Sequence, residues 1–304
     1  MSKPKDIAAS VSGRLANYAH EQNYTYQEVL QYYAIERLLY RLAQSKYRDT
    51  FVLKGGVAFF AWRFPLRRAT KDIDLHGRRP DTIEHLEAIV REICEQAVHP
   101  DGILFDPNSV TGANIQDRAE YQGIRVRFTG FLGTAKVPMQ LDIGFSDVLV
   151  PAAILVEYPT ILDMPAPTLS AYSWETLIAE KFQAMVFLGS INSRMKDFYD
   201  VWLLTHEATI DGQMLQQAIR TTFKNRSTQI PEGFPIQFSR SFTEEKQRQW
   251  DAFLRRESLD YDETDDFAQV VQRLNEFLLP VLNAMQKNAD FDDVWNPAKG
   301  WEKV

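Results

Sequence analysis

Residues 51–75 read FVLKGGVAFFAWRFPLRRATKDIDL. An apolar run enters two glycines, Gly55 and Gly56, and a helical stretch follows before the acid pair Asp72 and Asp74. In a strand, successive side chains alternate faces, so Asp72 and Asp74 project to one side while Ile73 and Leu75 point to the other. Two carboxylates so close on one face repel unless a cation lies between them. A second run, Met139 to Phe145, repeats the pattern with one acid: Met139, Leu141, Ile143 and Phe145 form an apolar face, and Asp142 stands opposite. If the two strands are neighbours, three carboxylates converge. Hard oxygen donors with open positions suit magnesium, or manganese in its place, which keeps waters and is held by a few carboxylates together with substrate phosphates. Two such ions can activate an attacking hydroxyl and steady a leaving pyrophosphate. An acid-x-acid pair alone also suits a solvated strand end, so its surroundings must decide.

Glycines between a strand and a helix let the backbone approach a phosphate closely, with the first helical amides facing it. Competing motifs fail by counting. An EF-hand loop begun at Asp72 reaches Ile83 at its twelfth position, where a bidentate glutamate is required. Neither a G-x-x-x-x-G-K-[ST] phosphate loop nor a G-x-G-x-x-G fingerprint occurs. One cysteine, Cys94, makes no internal disulfide; it suits core filling, and no Cys/His cluster offers zinc ligands.

Outward from this centre, the chain changes texture three times. Residues 1–50 read as helical, because Thr25 and Glu28 have capping-box spacing ahead of an amphipathic stretch that runs to Lys46. Residues 51–150 hold short apolar or alternating runs (FVL, DIDL, GILF, GIRVRF and VPMQLDIGF) with one helical pattern from Thr82 to Val98, an α/β core. Pro151, Pro159, Pro165 and Pro167 crowd residues 151–172, which read as a linker. Residues 173–304 read as a helical domain, with segments near 174–188, 194–206, 211–225, 243–256 and 265–286.

With 45% hydrophobic and 25% charged residues, the composition is that of a globular protein, not of a fibre or a disordered chain. The net charge of −7 argues against nucleic-acid binding over the whole surface. Basic residues nevertheless bracket the acid pair, at Arg63, Arg67, Arg68, Lys71, Arg78 and Arg79, while acid collects from Glu257 to Asp266. No apolar run is long enough to span a membrane and the first residues lack a signal-peptide core, so a cytoplasmic protein is expected.

The stretch LKGGVAFFAWRFPLRRATKDIDL, taken whole, resembles the nucleotidyltransferase toxins of the AbiEii/MenT type. Their pattern is L-K-G-G-[TS]-A, then R-x-[ST]-x-D-[LI]-D, and Arg68, Thr70, Asp72 and Asp74 stand at those places. Residues 173–204, SWETLIAEKFQAMVFLGSINSRMKDFYDVWLL, resemble the family's later motif, a helix with E-K followed by R-x-x-D-x-x-D. The matched blocks cover residues 51–204. Val57 departs from the pattern, since relatives carry Ser or Thr there.

The resemblance implies an α+β, DNA polymerase beta-type nucleotidyltransferase core with N-terminal helices and a C-terminal helical unit. Together with the alternation of the two acid strands, it points to metal binding by Asp72, Asp74 and Asp142, and to nucleotide binding by Gly55, Gly56, Arg68, Thr70, Lys181 and Arg194. Lys181 corresponds to a family lysine needed for activity, and Asp197 to the acid of the later motif. Transfer from an NTP to RNA, in some relatives the tRNA 3′ end, and control by a cognate antitoxin are implied as well.

The residues also carry readings of their own. Lys181 has Leu177, Ile178, Ala184 and Met185 as helical neighbours, so it lies on an apolar stripe, where it either snorkels or serves a site. Arg194, Asp197 and Val201 share one helix face, and Lys196 and Asp200 have i,i+4 spacing, which a salt-bridge network also explains. His76 reads as a loop residue, and Phe182, Met185, Phe187, Phe198 and Trp202 as core. Transfer to a protein or small-molecule hydroxyl, and a non-enzymatic cation-binding interaction module, remain open alternatives at this stage.

Overall fold

Asp6 caps α1 (Ile7–Glu21) by accepting from the Ala9 amide. Thr25 and Glu28 form the expected reciprocal capping box at the start of α2 (Tyr26–Gln44). These helices belong to a computed structural model that describes residues 6–61, 72–115, 123–145, 148–232, 235, 238–257, 259 and 266–303. The chain forms two compact units, Met1–Ser146 with Ile154–Ala171 and Asp147–Ala153 with Tyr172–Val304.

The first unit is a mixed sheet backed by helices. After α1 and α2 come β1 (Phe51–Leu53), α3 (Gly55–Ala61), β2 (Asp72–Gly77), α4 (Ile83–Glu95), β3 (Ile103–Asn114), β4 (Gly123–Leu132), β5 (Ala135–Gly144), β6 (Ile154–Glu157) and β7 (Thr168–Ala171). The strand order is β3-β4-β5-β2-β1-β7-β6. β2 runs parallel to β5 and antiparallel to β1, and β3, β4 and β5 form an antiparallel meander. A two-residue turn at Gly133-Thr134 joins β4 to β5, and Gly133 supplies the positive φ of 59° that such hairpin turns require. Alternation sends Ile73, Leu75, Val126, Phe128, Met139, Leu141 and Ile143 into the core.

Helix α2 is buried along most of its length, so its polar side chains need internal partners. Arg41 meets the Asp101 carboxylate at 2.7 and 3.1 Å, Glu36 accepts from the Ile161 amide at 2.7 Å, and Arg37 donates to the Pro165 carbonyl at 2.9 Å. The last two partners lie in the stretch expected to be a linker. That expectation is corrected: β6 and β7 come from residues 151–172 and join the sheet as an antiparallel pair. Four residues per strand are too few for alternation to show, and the prolines stand around the strands, at 151, 159, 165 and 167, not inside them.

The second unit holds α5 (Trp174–Leu188), α6 (Met195–Glu207), β8 (Ile210–Asp211), α7 (Gly212–Asn225), α8 (Arg240–Arg256), α9 (Phe267–Gln286), β9 (Val294–Asn296) and β10 (Gly300–Glu302). The five helices fall where periodicity places them. The small sheet β10-β9-β8 was not expected, and it pins the chain's end by donating the Trp295 indole N–H to the Thr205 carbonyl at 2.9 Å. Phe182, Met185, Phe198 and Trp202 are core as expected, whereas Phe187, in the last turn of α5, is 58% exposed. Cys94 is buried, and burial pushes its thiol up to about 12. His76 belongs to β2 and is buried, instead of lying in a loop.

Candidate active site

Strand β1 ends at Leu53, and the Lys54 amide donates to the Asp74 carbonyl at 3.0 Å, locking the turn into α3 onto β2. Gly55 then takes a φ of 59°, in the left-handed region that side chains disfavour. A Cβ built there would overlap the Asp74 carboxylate and stand 2.9 Å from the Asp74 Cβ. Sequence reasoning assigned this glycine to a phosphate; the group resting against its Cα is Asp74. Gly56 is the second residue of α3, and Val57 is fully buried.

The register of three strands sets the acids out in rows. Asp74 pairs with Asp142 across β2 and β5, and Asp142 pairs with Arg125 across β5 and β4. One step along, Asp72 pairs with Gln140, and Gln140 with Arg127. Paired positions share a face, as do residues two apart, so all six side chains spring from the face opposite the core. Asp72 is exposed and Asp74 half-buried.

The side chains do not close into a ready cage. Among the described residues, no group of three or more His, Cys, Asp or Glu stands positioned to hold a metal ion. Asp142 is engaged from the neighbouring strand: Arg125 donates from Nε to Oδ1 at 2.7 Å and from Nη2 to Oδ2 at 2.6 Å, and Gln140 Nε2 lies 3.4 Å from Oδ2. Arg127 Nε donates to Gln140 Oε1 at 3.0 Å. In kind the donors suit magnesium, being hard carboxylates, and the register sets them at adjoining positions of one sheet face. Arg68 and Thr70 lie outside the described residues, as do Arg63, Arg67 and Lys71. Arg78 and Arg79 are exposed beyond the end of β2, and Arg78 Nη2 reaches Ser170 Oγ at 3.4 Å.

In the second unit, Lys181 neither snorkels nor stands alone. Its Nζ lies 2.6 Å from Asp200 Oδ2 and 3.3 Å from Asp197 Oδ1, and its side chain is 11% exposed. Arg194, half-exposed at the start of α6, adds an ion pair to Asp197 Oδ2 at 2.7 Å. Burial alone would raise the Asp197 pKa, but Lys181, Arg194 and Lys196 outweigh it and hold the carboxyl below its usual range. Asp200 is thus tied to Lys181 across two helices.

Arg125 and Gln140 escaped the sequence reading although a signal existed. Counting seven residues along each strand from Leu132 and Ala135, which flank the Gly133-Thr134 turn, reaches Arg125 and Asp142. That count needs the turn to be fixed first, and Gly-Thr is a weaker turn signal than Asn-Gly.

A strand-glycine-helix junction thus packs against a two-acid strand, beside a third acid in register. The profile of the "Nucleotidyl transferase AbiEii toxin, Type IV TA system" family matches residues 37–273, and the chain belongs to that family. Among solved structures it is similar to JHP933 from Helicobacter pylori, with 14% identity, a TM-score of 0.47, and coverage of 87% of this chain and 94% of that one. It is similar also to MenT4, a nucleotidyltransferase toxin from Mycobacterium tuberculosis H37Rv, with 17% identity, a TM-score of 0.45, and coverage of 93% and 99%. No curated protein sequence matches it. Family membership sets aside the non-enzymatic reading: the chain is a nucleotidyltransferase of the toxin type. No helix among the described residues is long and apolar enough to cross a membrane.

Proposed function

We propose that this toxin moves a nucleoside monophosphate from an NTP to an RNA hydroxyl in the cytoplasm, with the tRNA 3′ end as acceptor, and depends on magnesium. The observation that carries the reading is the register of Asp74 with Asp142, with Asp72 two residues along the same face and Gly55 against the Asp74 carboxylate. The acceptor oxygen attacks the α-phosphorus, the bond to the bridging oxygen breaks, and pyrophosphate leaves. Asp142 takes the acceptor's proton. Asp72, Asp74 and Asp142 would hold magnesium, or manganese in its place, which supplies charge stabilisation for the phosphates. The family pattern adds the Gly55 and Gly56 backbone, Arg68 and Thr70 as phosphate contacts, and Lys181, Asp197 and Arg194 as residues needed for transfer. The Asp197 and Asp200 carboxylates pair with the Lys181 ammonium and fix its direction. A cognate antitoxin is the expected regulatory partner.

The test incubates the protein with each labelled NTP, magnesium and total RNA. Label should enter RNA, and Asp72→Ala, Asp74→Ala and Asp142→Ala should each abolish its transfer, as should EDTA until magnesium or manganese is restored. Label in protein or in a small product instead would overturn the RNA acceptor, and full activity in the three variants would overturn the site.

A further inference from the structure

Arg125 belongs to none of the motifs from which the site was read, yet it makes a two-point contact at the site's centre. Its guanidinium engages both oxygens of Asp142, at 2.7 and 2.6 Å. A carboxylate gripped in this fashion has its best acceptor directions taken. The grip is not sealed from water: the Arg125 side chain is 32% exposed and that of Asp142 is 16% exposed. Strand register makes the meeting unavoidable, because Arg125, Asp142 and Asp74 stand side by side on β4, β5 and β2. A divalent cation held by Asp72 and Asp74 and reaching for Asp142 therefore meets a carboxylate already neutralised.

We propose that Arg125 is a built-in competitor for the third carboxylate, holding Asp142 until a divalent cation replaces it, whereupon the released guanidinium pairs with the phosphates of the incoming nucleotide. The inference rests on the reading of Asp72, Asp74 and Asp142 as metal ligands. Its consequence is cooperative loading. Metal alone must pull Asp142 away from a cation, whereas metal arriving with a triphosphate offers Arg125 another anion. Each ligand then raises the affinity of the other by the same factor, as thermodynamic reciprocity requires. Arg125 acts through Asp142 before the nucleotide arrives, and is in that respect a positioning residue.

The experiment counts bound Mn2+ by electron paramagnetic resonance, without nucleotide and with a non-hydrolysable NTP analogue, in the full chain. Arg125→Met should bind Mn2+ alone about tenfold more tightly than wild type, since a charge-assisted grip on the carboxylate is gone. It should also show a smaller gain in Mn2+ affinity on adding the analogue. Arg125→Lys keeps the charge without the two-point grip and should fall between; it decides the matter if the Met variant fails to fold, as judged by circular dichroism. With Asp142→Asn as background, Arg125→Met should change Mn2+ affinity little. Equal or weaker Mn2+ binding by a folded Arg125 variant would overturn the competition while leaving the metal site standing, and so would an undiminished gain in the Asp142→Asn background. If neither wild type nor any variant binds Mn2+, with or without analogue, both the competition and the metal site fall together.

Discussion

Gly55 shows how one residue can answer two demands at once. Its φ of 59° costs an L-residue about 1–2 kcal/mol, and the space where a Cβ would stand is filled by Asp74. The nearest atoms include the Asp74 Cβ at 2.9 Å, so rotating the carboxylate cannot relieve the overlap and the strand itself must shift. Gly55→Ala should therefore lower transfer by about 100-fold, the scale of a misplacement near 1 Å, without removing any charged or donor group. The same variant should lower Tm by only a few degrees, as befits a local strain. Near-normal label transfer by the alanine variant would show that the junction tolerates displacement, and that the closeness of Gly55 and Asp74 has no catalytic meaning.

At the level of elements, α5 and α6 are joined by charges that sequence alone assigns ambiguously. The spacing of Lys196 and Asp200 suits a pair within one helix, and Asp200 also meets Lys181, on the helix before. This changes what a Lys181 substitution can mean. Asp197 and Asp200 have side chains only 2% and 6% exposed, so Lys181→Met takes a cation from two buried carboxylates, of which Asp197 keeps Arg194, at a cost of about 3–5 kcal/mol. A loss of activity in that variant is uninformative until stability is restored. Lys181→Met combined with Asp200→Asn removes one charge of each sign and should recover much of the lost Tm; transfer should remain lost if the ammonium acts on substrate. Recovery of both together would make Lys181 a packing residue. The example marks the limit of legibility. Helices with strong periodicity and strands with clean alternation, including both acid strands, could be read directly, because those patterns are local. The pairing of Asp74 with Asp142 was conditional on adjacency, the Arg125 grip on a turn, and the Lys181 clamp on packing between helices. The short strands β6 and β7 carry four residues each, too little for any period to register.

Over the whole molecule, charge and burial together set the response to pH. The first unit carries a carboxyl that works against the usual trend: burial pushes Glu36 up to about 7, only partly opposed by Arg37 at 2.7 Å and by the Ile161 amide. Below about 4.5, the ordinary value, Glu36 is protonated in both folded and unfolded chains and contributes no pH dependence. Between that value and about 7, the unfolded chain releases the proton while the folded chain keeps it, so the unfolded state binds fewer protons and stability falls as pH rises. Above about 7 the penalty is complete. Asp197, in the second unit, has the opposite sign, since a carboxyl held low contributes stability that is lost as pH falls through its folded value. A bulk melting curve mixes the two, and tryptophan fluorescence would weight the second unit, which holds Trp174, Trp202, Trp250, Trp295 and Trp301. The difference between wild type and Glu36→Gln, followed by hydrogen exchange of the α2 amides, isolates the first. Gln keeps an acceptor for the Ile161 amide and cannot ionise, and Arg37 retains the Pro165 carbonyl and the Tyr40 ring, 5.0 Å from its guanidinium. Relative to wild type, Glu36→Gln should gain stability between pH 5 and pH 8 by an amount on the order of 3 kcal/mol. The gain should be concentrated below pH 7. A difference that stays constant across that range would mean that Glu36 is already ionised at pH 5 and that its ion pair with Arg37 outweighs the cost of burial.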